Sequence, residues 1–373
     1  GEPLIETGEP PNFGESGRVD KHAPRLFGTF VSKVAKALLE LRESVDRRAD
    51  RSEEALRRDG DGQRRRAAVL LSGKVAPKYH ELGVRPTEST KAYALHCKDV
   101  PFLDPDELLK LPSSDKQLRD RLKTLLRWTY DASLYEPAAS SEKLRSKLKP
   151  GHVKQQISRR KIRRQLKAKG FCKAFLVPEH AKRRWRFIQH PVLANRHTSC
   201  DEKVQFTPFY ERHNAVLKGK YAIDVDWSAF FDQFELSDDV SPYFSFVVQG
   251  GQVYSMNVLP MGLKHSVSIA HTATLQLLNF NPTSYVEAYI DNVRLVSDDK
   301  EALIRDAATL LERCARARIT VNEADVSTLM QVPAAERHAA AIKLAAPLCT
   351  QKGPWLGELY DYAAKTIELT DKT

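Results

Sequence analysis

The stretch YIDNVRLVSDD (289–299) sets one carboxylate, Asp291, inside an apolar, β-branched run. A second acid, Asp226, closes the run KYAIDV, 65 positions earlier in the chain. Both stand at the ends of predicted strands, with one helical stretch between them. If the two strands are neighbours, the carboxylates converge at one sheet edge and repel each other unless cations lie between them. Mg²⁺ together with a substrate phosphate suits that geometry. Two such ions, roughly 3.5–4 Å apart, would clamp the attacking and leaving oxygens of a phosphoryl transfer. Taken singly, either acid also reads as a turn or cap residue. Asp224 shares a face with Asp226 by period-two alternation and is a backup candidate, with a structural role as its alternative.

The elements that must position these acids begin near residue 172. CKAFLV (172–177) and RRWRFI (183–188) read as two strands joined by a short loop. KYAIDVDWSAFF (220–231) is a strand running into a turn. YFSFVV (243–248) and GQVYSMNVL (251–259) flank Gly250 and Gly251 as a hairpin. A helix is expected over 264–279, stopped by Asn281-Pro282, then strand–turn–strand about Asp291 and an amphipathic helix over 300–319. An alanine-rich helix (334–346) and a last pair of segments, GPWLGELYDY and KTIELT, complete an α+β sheet backed by helices. Upstream, apolar spacing predicts helices over 30–58 and 115–135, the latter with Leu118, Leu122, Leu125 and Leu126 on one face, and 57–66 reads as a loop. VKQQISRRKIRRQLKAKG (153–170) reads as a basic helix ended by Gly170.

Charge is unevenly spread over the 373 residues, whose formal net charge is +11. Lys143 to Arg186 carries 17 Lys and Arg against one acid, Glu179. Such a block points to a polyanion, most often nucleic acid, with a solvated basic face as the alternative. Arg159, Arg160, Arg163 and Arg164 are its candidate phosphate contacts. The five cysteines (Cys97, Cys172, Cys200, Cys314, Cys349) form no CxxC pair, which disfavours a disulfide framework or zinc site. No apolar run approaches the roughly 20 residues of a membrane span. The polar, Gly/Pro-rich start has no signal-peptide core, so an intracellular setting is expected, nucleus and cytoplasm both open. A start at Gly rather than Met is expected of a processed or excised piece.

Five motifs, in order, resemble the reverse transcriptase family over roughly residues 170–370. WRFIQHPVLAN (185–195) is similar to its fingers hairpin, DWSAFFDQFEL (226–236) to its first catalytic motif, and LPMGLKHS (259–266) to the Leu-Pro-x-Gly segment before a palm helix. AYIDN (288–292) is similar to the Tyr-x-Asp-Asp hairpin and PWLGELYDYAAKTIEL (354–369) to the primer-grip hairpin. The style of DWSAFF and of the last motif is closest to tyrosine-recombinase retrotransposons of the DIRS and VIPER-like kind. The resemblance implies a right-hand polymerase, fingers and palm, that copies RNA into DNA with dNTP, an RNA template, a DNA primer and two Mg²⁺. It implies Asp226 and Asp291 as metal ligands with Asn292 beside them in the catalytic hairpin. Arg186 and Lys182 would meet the triphosphate, and Gly262 would allow close approach of nucleotide or template. Phe231 would lie under the sugar and exclude a 2′-hydroxyl, which disfavours an RNA-making polymerase. Trp355, Leu356 and Gly357 would touch the primer end, with a plain hairpin core as the alternative.

The sequence departs from the family pattern at four places. Asn292 replaces a second Asp and removes one negative charge. Met261 stands where retroviral relatives have Gln. The fingers tip lacks the usual Lys, for which Lys182, Arg183 or Arg184 could substitute. Asp325 lies near the place of a missing Lys, which leaves the proton donor for pyrophosphate unassigned. Two readings therefore stay open, an active polymerase domain of a retroelement and a domesticated, inactive nucleic-acid-binding subunit of a larger assembly. The expected organisation is an extended arm (1–25), a helical extension (26–150), a fingers-like part (151–219) and a palm-like part (220–373). No thumb or RNase H acids are recognised before Thr373, so a partner ribonucleoprotein or a separate thumb and RNase H region is also expected.

Overall fold

The computed structural model describes residues 92–137, 148–197 and 204–370. The expected arm and the helix over 30–58 with its following loop lie outside these residues. In chain order the strands are β1 (Ala94–Leu95), β2 (Ile162–Arg164), β3 (Lys173–Glu179), β4 (Arg184–His190), β5 (Tyr221–Asp226), β6 (Ser245–Val247), β7 (Val253–Met256), β8 (Tyr285–Tyr289), β9 (Asn292–Ser297), β10 (Lys352–Trp355), β11 (Glu358–Asp361) and β12 (Thr366–Leu369). The helices are α1 (Pro105–Lys110), α2 (Lys116–Tyr130), α3 (Pro150–Ser158), α4 (Val192–His197), α5 (Phe209–Asn214), α6 (Ser266–Leu278), α7 (Lys300–Arg316) and α8 (Ala334–Ala345). The result is an α+β fold of the fingers-and-palm kind. No helix among the described residues is long and apolar enough to cross a membrane.

The palm sheet has the order β5-β9-β8, all antiparallel. β9 is central and reads Val293, Arg294, Leu295, Val296, every one of them buried. One face of this sheet rests on α7, whose Leu303, Ala307, Leu310, Leu311 and Cys314 form the apolar stripe that the sequence shows at helical spacing. Asp299 caps α7 by accepting from the N–H groups of Glu301 and Ala302. α6 is buried on nearly every side and lies between α2 and the palm sheet. α2 contributes Leu122, Leu125 and Leu126 to that contact; Leu118 is only partly buried. The fingers hairpin β3–β4 pairs Lys173 with His190 through Glu179 with Arg184, and β1 adds a parallel strand to the outer edge of β4. Residues from Leu95 to Tyr135 therefore share one apolar core with the palm.

The basic segment differs from expectation. The helix stops at Ser158, Arg160 takes a left-handed backbone (φ 57°), and Ile162–Arg164 pairs with Tyr254–Met256 as β2. Ile162 is 2 % exposed, so burying its branched side chain against the free edge of β7 outweighs continuing a solvated basic helix. Gly170 ends no helix. A Cβ there would lie 2.7 Å from the Tyr243 carbonyl oxygen, so glycine is required by close backbone packing. The helix over 115–135 also ends early, at Tyr130, where Asp131 caps both it and the turn that follows.

The C-terminal segment is a three-stranded sheet, β10-β11-β12, joined to the palm by a backbone bridge between Thr350 and Ala222 and by a buried cation. Arg294 is fully buried on β9, opposite Asp224 on β5, and its Nε donates to Asp224 Oδ1 at 3.0 Å. Its guanidinium carbon lies 4.4 Å from the ring centroid of Trp355, 4.1 Å from that of Tyr360 and 5.6 Å from that of Tyr362. Burial pushes the Asp224 carboxyl up, and the Arg294 charge and hydrogen bond oppose that push. Removing the arginine would strand Asp224 in an apolar setting. Arg294→Met should cost about 3–5 kcal/mol of stability, the cost of breaking a buried ion pair, and Arg294→Met with Asp224→Leu should recover most of it. Urea unfolding midpoints of wild type, single and double variants measure this; equal losses in single and double would show that the ring cage, not the ion pair, holds the junction.

Candidate active site

β5 delivers Asp226 to the end of the palm sheet, where its Cα pairs with that of Asn292. The residue before Asn292 is Asp291, second in a two-residue turn between β8 and β9. The turn is tight enough to force Ile290 to φ 58°, a left-handed conformation that costs a β-branched residue about 1–2 kcal/mol. Three of its backbone groups are taken up locally. His271 Nδ1 accepts from the Ile290 N–H at 3.2 Å, Thr274 Oγ1 donates to the Ile290 carbonyl at 2.6 Å, and the Trp227 N–H donates to the Asp291 carbonyl at 2.9 Å. Trp227 Nε1 in turn donates to Thr274 Oγ1 at 2.8 Å. Burial holds the His271 imidazole down at about 4, so it stays neutral and keeps an acceptor nitrogen for Ile290.

The two carboxylates share a half-buried space. Burial and then the charge of Asp226 push the Asp291 carboxyl up to about 6, against the pull of Arg186 and the Asn292 amide. Burial also raises Asp226, against a hydrogen bond from Asn322 and the charges of Lys98 and Lys182. Asn322 Nδ2 donates to Asp226 Oδ2 at 2.7 Å, and Glu323 Oε2 accepts from the Asp226 N–H at 3.0 Å. Asn292 Nδ2 donates to Asp291 Oδ1 at 3.1 Å, so the amide that replaces an acid orients the remaining one. No cluster of three or more His, Cys, Asp or Glu among the described residues is arranged as a metal site. The donor set is two carboxylates and an amide oxygen. Hard oxygen donors, each carboxylate raised by its setting, fit Mg²⁺.

A cavity of about 430 Å³ opens over this pair. Asp226, Asp291, Phe231, Met261, Arg186 and Lys182 line it, together with His96, Lys98, Lys161 and Arg184. A larger cavity, about 890 Å³, lies under the loop after α7, where Arg316 and Arg318 face Asp104 and Glu107; it touches the first only through Asn322. The two candidate acids line the smaller one. Phe231 lines it and is partly buried, while Phe230, which also borders it, is core at 1 % exposure.

Other candidates lie elsewhere. Gly262 does not face the cavity. A Cβ on it would meet the Gln189 carbonyl oxygen at 2.6 Å, so the close approach it permits is to its own chain, where Asn195 Nδ2 donates to the Gly262 carbonyl. Trp355 is 3 % exposed and serves as hairpin core; Leu356 (φ 48°) and Gly357 (φ 92°) form the tip. Arg159 pairs with Asp99, and Arg160 lies over the Phe102 ring. Arg163 is bound to Asp238 and to the Leu236 carbonyl, so of the four arginines Arg164 alone is exposed without such a partner among the described residues. Asp325 caps the turn at Val326–Gln331. The residues not anticipated are His271 and Thr274, which hold the Ile290 backbone, Asn322, which holds Asp226, and Lys98 and Lys161, which line the cavity.

Residues 172–351 match the family described as Reverse transcriptase (RNA-dependent DNA polymerase). Among solved structures, the native prototype foamy virus protease–reverse transcriptase is 15% identical, with a TM-score of 0.41 over 61% of this chain and 34% of that one. A foamy viral protease–reverse transcriptase dRH in complex with double-stranded DNA is 13% identical, with a TM-score of 0.49 over 75% of this chain and 50% of that one. A further foamy viral complex with double-stranded DNA gives 13% identity and 0.48 over 74% and 58%. The chain thus spans from about a third to somewhat over half the length of these proteins. No curated protein matches the sequence.

Because the Asp291 carboxyl is raised in the folded chain, the folded state keeps a proton that the unfolded state has already released. Its contribution to stability therefore falls as pH rises from the ordinary aspartate value to about 6. In EDTA, Asp291→Asn should match wild type in Tm near pH 4 and exceed it increasingly up to a plateau above about pH 6. A Tm difference that does not vary with pH would show that Asp291 titrates as it does in solvent.

Proposed function

We propose, for a chain whose residues 172–351 form a reverse transcriptase domain, that it is an RNA-directed DNA polymerase of a retroelement. The observation that carries this reading is the placing of Asp226, at the end of β5, and Asp291, in the turn that leads into the neighbouring β9, under one cavity whose rim bears Arg186 and Lys182. The arm, helical extension, fingers and palm divisions expected from the sequence are part of the proposal, as is kinship with tyrosine-recombinase retrotransposons, which rests on motif style. So are an RNA template, a DNA primer and a larger ribonucleoprotein or separate thumb and RNase H region as partners.

Asp226 and Asp291 would hold Mg²⁺, which when bound neutralises charge on the transferring phosphoryl group and eases deprotonation of the attacking hydroxyl. The chain's own residues position the rest. Arg186 stands on β4 with 43% of its side chain exposed and its Nε 3.5 Å from Glu179 Oε2, a loose pairing that a phosphate can replace. Lys182, at the fingers tip, adds a mobile ammonium. Phe231 gives the sugar an apolar floor with no room for a hydroxyl, and Met261 offers the base an apolar contact. Asn292 keeps Asp291 in one rotamer. Catalysis is then chiefly positioning and charge stabilisation in a site partly closed to water.

The retention of one ordered acid beside an amide favours activity over an inactive scaffold, and one assay separates them. Primer extension on an RNA template with dNTP and Mg²⁺ should proceed with wild type. It should vanish with Asp291→Ala and persist or rise with Asn292→Asp. Phe231→Val should raise ribonucleotide incorporation relative to dNTP, by about 10-fold or more if steric exclusion is worth upwards of 1.4 kcal/mol. Tight binding of primer–template without any extension would favour the inactive subunit instead.

A further inference from the structure

We propose that Lys98, which lies before the family-matched segment, is a nucleotide-binding residue whose ammonium takes the terminal phosphates of the incoming nucleotide. The inference rests on the polymerase reading for the identity of the ligand, but its observations are independent. β1 pairs with β4 and leads the chain across the cavity, where the Lys98 Nζ donates to Ser228 Oγ at 3.0 Å and to Asn322 Oδ1. The segment is fixed on both sides. Tyr93 packs on Trp185 and His180, Gln155 Nε2 donates to the Leu95 carbonyl, and Asp99 pairs with Arg159. Lys98 therefore bridges the fingers hairpin and the palm: its partner Ser228 stands two residues after Asp226 in the chain, and its partner Asn322 donates to Asp226 Oδ2.

What singles Lys98 out is its partners. Both are neutral oxygens, and no carboxylate among the described residues lies within ion-pair distance of it. Lys161, deeper in the same wall, is neutralised by Asp232. Lys182, Arg184 and Arg186 share the single carboxylate of Glu179. The nearest anion it feels, Asp226, is reached only through Asn322, so the partly buried ammonium lacks the direct charged partner that a ligand could supply. The cavity floor is acidic at Asp226 and Asp291, which places the anion toward the cationic wall, away from the reacting end. A polyphosphate tail satisfies both conditions. His96, beside Arg184, is held at about 4 by burial and then by the Arg184 charge, so it adds no cation to that wall.

The test uses the full chain. Lys98→Gln should raise the KM for dNTP by about 10- to 100-fold, the effect of a lost charge-assisted hydrogen bond, with primer–template affinity unchanged. Lys98→Arg should recover most of the loss. In the wild-type chain, amine acylation read by mass spectrometry should show Lys98 shielded by dGTP or inorganic tripolyphosphate while Lys343 on α8 stays reactive. That measurement needs no variant to fold. Shielding of Lys98 without DNA synthesis keeps this inference and removes the polymerase reading. Synthesis with a dNTP KM unmoved in Lys98→Gln, and Lys98 acylated alike with and without either polyphosphate, overturns the inference and keeps the reading. A shifted Mg²⁺ requirement with unmoved dNTP KM also overturns it, making Lys98 a counter-charge to Asp226 only.

Discussion

Two carboxylates must sit together, partly out of water, at a turn that the backbone resists. That constraint organises the palm. The Ile290–Asp291 turn is strained; burial raises both acids, and the charge of Asp226 raises Asp291 further. Strain of this kind persists only where the surroundings over-determine it. Here α6 supplies His271 and Thr274 to the two Ile290 backbone groups, and β5 supplies the Trp227 N–H to Asp291. Thr274 serves both Ile290 and the Trp227 indole, so helix, turn and strand are locked through one hydroxyl. The burial of α6 on nearly all sides is what gives those two side chains a fixed position.

The same sheet carries a second, remote constraint. Arg294 lies on β9 two positions beyond Asn292, and its cage of Trp355, Tyr360 and Tyr362 ties the C-terminal sheet to the strand that follows the Ile290–Asp291 turn. The role anticipated for the tip as a primer contact and the observed role of Trp355 as core are thus compatible: the aromatic anchors, and the exposed turn is what remains to touch a ligand.

Much of the site was legible because its signals are local. Period-two alternation located β3, β4, β5, β8 and β9, and strand-end acids located Asp226 and Asp291. Asp224, read as a backup site candidate from its face with a structural role as the alternative, pairs with Arg294, a partner the sequence did not show. The basic segment was misread because its charge pattern suits a helix as well as a strand edge; burial of Ile162 on β7, a tertiary effect, decides it. Gly262 and Gly170 were read for a ligand or a helix end, whereas each admits its own chain's backbone. Lys98 was illegible in principle. It occurs in no motif, and its contacts reach 130 and 224 positions along the chain. The chain's large positive excess is likewise only partly available to a ligand, since Arg159, Arg160 and Arg163 are spent on Asp99, Phe102 and Asp238.

The central claim is that Asp226 and Asp291 act as one divalent-cation site. Mn²⁺ titration followed by electron paramagnetic resonance tests it directly, with wild type, Asp226→Asn, Asp291→Asn and the double variant. The account predicts that either single change removes most of the high-affinity binding and that the double variant is little worse than the singles, because the two acids share one ion set. Additive, small losses, or Mn²⁺ bound equally by all four proteins, would contradict it.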